Sequence, residues 1–391
     1  MPDATPTTAI SRATPTESPA SAGDASLLFR PFEAGALKLP NRIVMAPMTR
    51  NFSPGGVPGQ DVATYYARRA AGGTGLIITE GTYVGHASAG EHGDVPLFHG
   101  EAPLAGWRRV VEDVHAAGGR IAPQLWHVGT VRKAGQPPVA EAPSVGPSGL
   151  TPKGIPTGDE RSILDLAGID AVIGAFAAAA ADAERIGFDG VELHGAHGYL
   201  IDQFLWSKTN RRTDEYGGDP VARTRFAADV VKAVREAVSP SLPVILRMSQ
   251  WKIDNYDARL AATPQELERI LVPLAEAGVD VFHASTRRYW LPEFEGSDLN
   301  LAGWVKKITG RPVITVGSVG LDSGFVSTYL SGKTPSPTGI TPLLERLTRE
   351  EFDLVAIGRS LLGDPEWPTK TRDGRAEDIM PFSLEAMATL T

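Results

Sequence analysis

The sequence contains no cysteine among its 391 residues. This absence excludes disulfide bonds, thiolate catalysis, cysteine-based zinc sites and iron–sulfur clusters held by cysteine. An excess of basic residues is also missing, because 38 lysines and arginines stand against 46 aspartates and glutamates, which gives a formal net charge of −8. Such a chain has no general attraction for nucleic acid or an anionic membrane, so we expect a small-molecule partner.

Signals for membrane insertion and export are also missing by inspection. No apolar run looks long enough to span a bilayer, and the first residues have neither a charged start nor the apolar core of an export signal. We therefore expect a cytoplasmic protein. Residues 1–26 are rich in Pro, Thr, Ser and Ala, and they predict a disordered tail because they can bury too little surface to offset the entropy of ordering.

From Pro40 onward, short β-branched apolar runs alternate with amphipathic helical stretches, which indicates a parallel sheet. Eight runs are strand candidates: Arg42–Ala46, Leu76–Glu80, Ile121–Leu125, Gly190–Leu193, Val244–Met248, Val281–Ala284, Val313–Val316 and Leu354–Ile357. Helices are predicted between them at Asp61–Ala71, Leu104–Ala117, Leu166–Ile186, Val221–Val238, Pro264–Ala277, Leu299–Thr309 and Asp322–Leu330, with a last one after Pro365.

The strand count predicts an α/β fold of the (β/α)8 TIM-barrel class, in a single domain that spans residues 27–391. A doubly wound open sheet is the alternative, but the G-x-G-x-x-G turn that it needs after its first strand does not occur. Two stretches interrupt the alternation. Residues 127–165, dense in Pro and Gly, predict a lid insertion over the active face, and residues 331–349 delay the last strand.

Barrel enzymes carry their reactive groups at the C-terminal ends of the strands. The ends of the last two strands read Gly317-Ser318 and Gly358-Arg359, which predict a phosphate site because backbone N–H groups and a guanidinium can surround an anion. These glycines could instead be plain strand-to-helix turns. Arg247 ends the fifth strand and calls for an anionic partner, either a ligand or a neighbouring carboxylate.

His194 and His197 follow the fourth strand with a spacing that admits three interpretations: a metal site, a packed structural pair, or joint polarisation of a substrate oxygen. We favour polarisation and expect no metal, because no third ligand is apparent. Tyr199 is either a packed aromatic or a proton donor. Gln124, at the third strand, could satisfy backbone groups or face a planar heterocycle.

Four segments taken together resemble the old yellow enzyme family of flavin oxidoreductases. They are APMTR at 46–50, YYARRAAGGTGLIITEGTYV at 65–84, QLWHVG at 124–129 and DGVELHGAHGYLIDQFLWSKTNRRTDEYGG at 189–218. The resemblance extends over residues 28–375. It implies non-covalent FMN across the barrel mouth, with NAD(P)H as the reductant, in a barrel that often assembles into homo-oligomers.

The resemblance also implies roles for individual residues around FMN. Ala46, Pro47 and Met48 would back the flavin ring, Thr49 would donate near its O4 and N5, and Gly81 would contact its edge. Gln124 would hold the pyrimidine side and Arg247 the N1 and O2 region. The phosphate would be held by Gly317, Ser318, Gly358 and Arg359.

For catalysis, the resemblance makes the chain an ene-reductase with a ping-pong cycle. His194 and His197 would grip a carbonyl oxygen while hydride reaches the β-carbon, and Tyr199 would protonate the α-carbon. Two alternatives stay open: a metal-assisted hydrolase or lyase that uses both histidines with Glu192, and a non-catalytic flavin-binding protein. Residues 284–290, after the sixth strand, would either cover substrate or pack against the lid.

Overall fold

The computed structural model describes residues 25–35, 37–324 and 334–391, and its centre is a closed barrel of eight parallel strands. The last strand pairs with the first through Val355 and Ile43, so the ladder closes without a free edge. The predicted (β/α)8 barrel is confirmed. Its strands are β3 Ile43–Met45, β4 Leu76–Tyr83, β5 Ile121–Trp126, β6 Val191–His197, β7 Val244–Lys252, β8 Val281–Ser285, β9 Val313–Val316 and β10 Leu354–Ile357.

Alternate residues along each strand face opposite sides of the barrel wall. Val44 belongs to the apolar cluster inside the barrel, whereas Ile43 and Met45 pack outward into the larger cluster shared with the helices. A hairpin of β1 (Phe32–Ala34) and β2 (Leu37–Leu39) adds three apolar side chains to the inner cluster. That cluster includes residues at the starts of β4, β8 and β10, so the hairpin closes the N-terminal end and leaves the opposite end available for a site.

The helices of the described chain are α1 Gln60–Ala71, α2 Glu101–Ala116, α3 Leu166–Ile186, α4 Leu200–Leu205, α5 Pro220–Arg223, α6 Arg225–Ala237, α7 Pro264–Ala277, α8 Leu301–Thr309, α9 Thr341–Thr348, α10 Arg359–Gly363 and α11 Trp367–Arg372. Side-chain caps mark several starts: Asp165, Thr263 and Asn300 accept a backbone N–H of the first turn. Gly187 and Gly278 end α3 and α7 in the left-handed conformation that favours glycine.

The predicted helix bounds agree with the structure at most positions, with informative differences. The helix predicted over Val221–Val238 is divided at Thr224 into α5 and α6. The β1–β2 hairpin, α4 and α9 were not predicted. Most of the helix predicted over Asp322–Leu330 lies outside the described residues, as does the predicted tail up to residue 24, whereas Ala25 and Ser26 begin a 3₁₀ helix.

The expectation that no apolar run is long enough to span a bilayer was wrong for one helix. The 21-residue helix α3 has a mean hydropathy of 1.6 and passes, by length and composition alone, as a candidate membrane span. In the structure it is one of the helices around the barrel, where Val172, Phe176 and Ala183 on one face are buried, and α6 is its main helical neighbour. Nine of its 21 residues are alanine, a strong helix former.

The segment 127–165, between β5 and α3, contains two 3₁₀ turns and isolated bridges but no named strand. It lies beside the end of β6, because Pro152 is 3.5 Å from the position that a Cβ on Gly198 would take. The Thr130 hydroxyl donates to Leu150 O at 2.7 Å, a hydrogen bond that connects two distant parts of this segment. Its predicted function as a lid stays a prediction.

Candidate active site

A cavity of about 270 Å³ lies at the C-terminal ends of β3, β7, β8, β9 and β10. Three arginines line this cavity, Arg247, Arg287 and Arg359, and its lining contains no aspartate or glutamate. We call it the mouth cavity. It brings together these sequence-predicted site residues: Ala46, Pro47, Met48, His197, Arg247, Gly317, Ser318, Gly358 and Arg359. Thr49, Gly81, Gln124, His194 and Tyr199 are not part of its lining.

Arg247 is buried, and its Nε has no hydrogen-bond partner among the described residues. One terminal nitrogen donates to Ser285 Oγ at 3.3 Å. Burial lowers the pKa of Arg247, and the charge of Glu192 acts in the opposite direction. Within the part of the chain that the structure describes, Arg247 forms no salt bridge, so an anion that enters the mouth cavity would meet a guanidinium with hydrogen-bonding capacity to spare.

Beside Arg247, three buried polar side chains are joined by two hydrogen bonds, and His283 Nε2 has no partner among the described residues. Gln124 Nε2 donates to Glu192 Oε1 at 2.7 Å, and Glu192 Oε2 lies 2.6 Å from His283 Nδ1. Glu192 therefore interacts with Gln124 and His283, and no group of three possible metal ligands occurs among the described residues. Gln124 retains its carbonyl oxygen for another partner, and its contact with the flavin stays a prediction.

His194 is a neutral imidazole because burial lowers its pKa well below the ordinary value, and the charge of Arg247 adds to the effect. Its Nδ1 accepts the Ala196 N–H at 3.4 Å, which places the proton of the neutral ring on Nε2. The ring also contacts its own backbone, an interaction that acts against the lowering of its pKa. His194 Nε2 is therefore a donor available to a ligand.

His197 is also buried and neutral, since burial and then Arg247 lower its pKa well below the ordinary value. Its backbone adopts a φ of 66°, which aims the side chain across the cavity, and its ring lies 5.1 Å from the His194 ring. The ring stacks on Trp251 at 4.2 Å, and Nε2 lies 2.8 Å from Ser285 Oγ. A substrate oxygen would therefore use Nδ1 or replace Ser285.

The turn after His197 is fixed by two side chains of α4. The Gly198 N–H donates to Asp202 Oδ2 at 2.6 Å, and Gln203 Nε2 donates to Gly198 O at 2.7 Å. Asp202 in turn accepts from Lys252 Nζ at 2.8 Å, and neither of these two side chains is exposed to solvent. This fully buried ion pair determines the position of the peptide that joins His197 to Tyr199.

Tyr199 begins α4 beside the two histidines, with its ring 4.9 Å from that of His194. Burial raises the pKa of the phenol, and the nearby Glu91 raises it further, so the hydroxyl keeps its proton at neutral pH. No hydrogen bond to another described residue engages this hydroxyl. The side chain is thus a protonated, uncommitted donor.

Two residues at the site, Trp126 and Trp251, were not predicted as site residues from the sequence, and Ser285 was included only within the stretch 284–290. Trp126 packs between His194 and Tyr199, with ring distances of 5.9 and 4.8 Å. It belongs to the QLWHVG motif, so it could have been found there. Gly81 leaves room for this ring, because a Cβ at that position would lie 2.4 Å from Trp126. Trp251 belongs to none of these motifs.

The ends of β9 and β10 form a second polar region of the mouth cavity. Gly317 has a φ of 147°, and a Cβ there would lie 2.6 Å from Thr286 Oγ1, so only glycine fits. Arg359 Nη2 lies 3.1 Å from Ser318 Oγ. The backbone of these turns lines the cavity. Together with the Arg247 Nε, which has no partner among the described residues, and a lining without carboxylates, it fits a phosphorylated flavin, which presents anionic oxygens at one end and ring acceptors at the other.

Comparison with known proteins agrees with this geometry. The NADH:flavin oxidoreductase / NADH oxidase family matches residues 27–332. The 12-oxophytodienoate reductase 2 of Arabidopsis thaliana is 40% identical over 352 residues, which cover 88% of this chain and 87% of that protein. The NADH oxidase of Thermoanaerobacter brockii is 34% identical over 90% of this chain, but over 52% of its own length. The chain thus spans about half of that protein.

Among solved structures, morphinone reductase in complex with tetrahydroNAD matches with a TM-score of 0.75 and 32% identity, over 92% of this chain and 93% of that one. The old yellow enzyme homologue from Zymomonas mobilis matches with a TM-score of 0.73 and 26% identity, over 92% and 96%. The chain therefore belongs to the NADH:flavin oxidoreductase / NADH oxidase family, the old yellow enzyme family.

Proposed function

We propose that this chain reduces the carbon–carbon double bond of a small α,β-unsaturated carbonyl compound. One observation supports this most directly: the neutral His194 imidazole lies at the barrel mouth with the neutral His197 ring 5.1 Å away and the protonated Tyr199 ring 4.9 Å away. Two of the similar proteins are named as reductases, which favours the reductive direction. When bound, FMN supplies the hydride chemistry, reduced by NAD(P)H and reoxidised by the alkene in a ping-pong order.

His194 and His197 bind the carbonyl oxygen in this proposal. As hydride reaches the β-carbon, negative charge develops on that oxygen, and hydrogen bonds from the two rings become stronger. Because Arg247 and burial keep both rings neutral, they stabilise this charge as hydrogen-bond donors and do not compete as acids. The Ser285 hydroxyl holds His197 in place before substrate enters.

Tyr199 supplies the proton for the α-carbon. Its phenol is buried, protonated and free of hydrogen bonds within the described chain, so no stronger acceptor has to be displaced before it donates. The adjacent Trp126 ring, at 4.8 Å, restricts its rotation. A proton donor and two oxygen-binding groups are thus held by consecutive parts of β6 and α4.

The test is anaerobic stopped-flow spectroscopy of the purified holoenzyme in two steps. Mixing with NAD(P)H should bleach the flavin, and mixing the reduced enzyme with cyclohexenone or a maleimide should restore its colour. The double variant His194→Ala, His197→Ala should retain FMN and its reduction but lose most of the recolouring rate. His92→Ala, at an exposed position, is the matched control. Unchanged turnover of enones by the double variant would exclude the proposed binding of the carbonyl.

A further inference from the structure

Arg287, in the loop after β8, has no assigned part in the site. Its side chain is half-buried and lines the mouth cavity together with Arg247 and Arg359. It forms no salt bridge with any residue that the structure describes, and residues 325–333, FVSTYLSGK, contain no acidic side chain that could supply one. A partly buried cation in a cavity whose lining has no carboxylate favours binding of an anionic ligand, because the anion offsets the cost of its desolvation.

The guanidinium of Arg287 is held by an aromatic row. It lies 4.0 Å from the centroid of the Tyr256 ring, which is 5.4 Å from that of Trp251. Trp251 in turn stacks on His197. Cation–π contact with Tyr256 restricts the long side chain before any ligand binds, which lowers the entropy lost on binding.

Arg287 lies at the same end of the mouth cavity as Arg359 and the turn after β9, where the FMN phosphate is predicted to bind. Its Nη2 is 3.6 Å from the site that a Cβ on Gly324 would take. Arg359 approaches the same stretch of backbone, with Nη2 2.6 Å from Ser323 O. Ser318 Oγ donates to Arg287 O at 3.0 Å, so the loop after β8 is attached to the turn after β9.

The charged side chains that line the mouth cavity are arginines, whereas Asp257 and Asp322, whose charges raise the pKa of Arg287 and of Arg359 respectively, are not part of its lining. Burial lowers the pKa of Arg287 and brings the pKa of Arg359 to about 10, yet both guanidinium groups stay charged at neutral pH. A phosphate monoester carries nearly two negative charges and three acceptor oxygens, and arginine binds such a group through paired N–H donors. Two arginines match its charge, whereas Arg359 alone does not.

We propose that Arg287 is a second guanidinium ligand of the FMN phosphate, and that Tyr256 holds it ready for binding. The loop after the sixth barrel strand would then contribute to cofactor selection, in addition to the turns after the last two strands. The inference rests on FMN as the cofactor and does not depend on which substrate the reduced flavin meets. Riboflavin, which lacks only the phosphate, is the appropriate comparison ligand.

The experiment is a flavin exchange on the full-length holoenzyme. The protein is equilibrated with mixtures of FMN and riboflavin, separated from free flavin, and the bound flavins are released and quantified by chromatography. Arg287→Ala should lower the FMN-to-riboflavin selectivity about tenfold, the effect of losing one charge-assisted hydrogen bond. Arg288→Ala, at the exposed neighbouring position, is the matched control and should keep the wild-type ratio.

Tyr256 provides an independent variant pair. Tyr256→Ala should lower the same selectivity by a smaller factor, whereas Tyr256→Phe, which keeps the ring, should retain it. An unchanged ratio in Arg287→Ala would overturn the proposal. An equal loss of both flavins would also overturn it, because that pattern shows an effect on the fold and not on the phosphate.

Discussion

Replacing Lys252 by Met should destabilise the protein strongly, because it removes one half of the buried ion pair with Asp202. Both side chains are 0% exposed and their charged atoms lie 2.8 Å apart. Methionine fills a similar volume, so the change removes charge with little loss of packing. Removing one partner of a buried pair typically costs about 3–5 kcal/mol, since the other charge stays desolvated. Among the described residues, the Asp202 carboxylate would keep only the Gly198 N–H as a hydrogen-bond donor.

The assay is urea unfolding of the holoenzyme at constant FMN, with Asp202→Asn and the double variant completing a mutant cycle. Asparagine still accepts the Gly198 N–H, so the double variant should recover at least about 2 kcal/mol of the loss in free energy of unfolding. Loss of less than about 1 kcal/mol in Lys252→Met would contradict the reasoning, because it would mean that Asp202 reaches water or is already neutral.

The pH dependence of the Lys252→Met variant gives a second check. Burial raises the pKa of Asp202, while Lys252 and the Gly198 N–H lower it, so removing Lys252 raises it further. A folded-state pKa above the unfolded value stabilises the protein at low pH, and this contribution is lost as the pH rises through the folded-state pKa. The deficit of Lys252→Met relative to wild type should therefore shrink as the pH is lowered from 8 toward 5.

Three further outcomes are expected. Tyr199→Phe should slow alkene reduction about 10²- to 10⁴-fold while flavin reduction by NAD(P)H keeps its rate, as measured by stopped-flow; equal slowing of both steps would contradict its role as proton donor. Gly81→Ala places a methyl group 2.4 Å from Trp126 and should cost about 1–3 kcal/mol in urea unfolding, so an unchanged midpoint would mean that the ring moves freely. Burial raises the pKa of Glu80 from 4.5 to about 7. Protonation of Glu80 therefore stabilises the folded protein at low pH, and this contribution is lost as the pH rises through this range. Glu80→Gln should flatten the fall in Tm between pH 5 and 7, and an unaltered slope would show that Glu80 titrates normally.

The barrel was predictable because each strand is a short β-branched run between helices. The spacing of the apolar residues and the length of each run together identify a strand followed by a helix. The strands were predicted too short where polar residues continue them. β6 extends to His197 and β7 to Lys252 past a shift in register, and polar side chains there give no alternating signal. Helix α9 was missed although Leu343, Leu344 and Leu347 share its buried face, because it lies in a Pro-rich insertion.

The site was predictable in its residue types but not in its internal contacts. Strand ends gave the positions of His194, His197 and Arg247, since the barrel places them at one mouth. The bond between His197 and Ser285 joins residues 88 positions apart, and no local pattern reports such a contact. The same is true of Trp251, whose stacking on His197 depends on the extension of β7 beyond its apolar part.

Arg247 connects cofactor binding to the choice of proton donor. After burial, its charge is the largest cause that lowers the pKa of both histidines, so neither ring is an imidazolium that could act as an acid at neutral pH. The same guanidinium faces the cavity with an unpartnered Nε, available to an anion. In the proposed mechanism, a substrate held by neutral imidazoles takes its proton from Tyr199, the adjacent group that burial keeps protonated. One buried charge thus separates binding of the oxygen from protonation of the carbon.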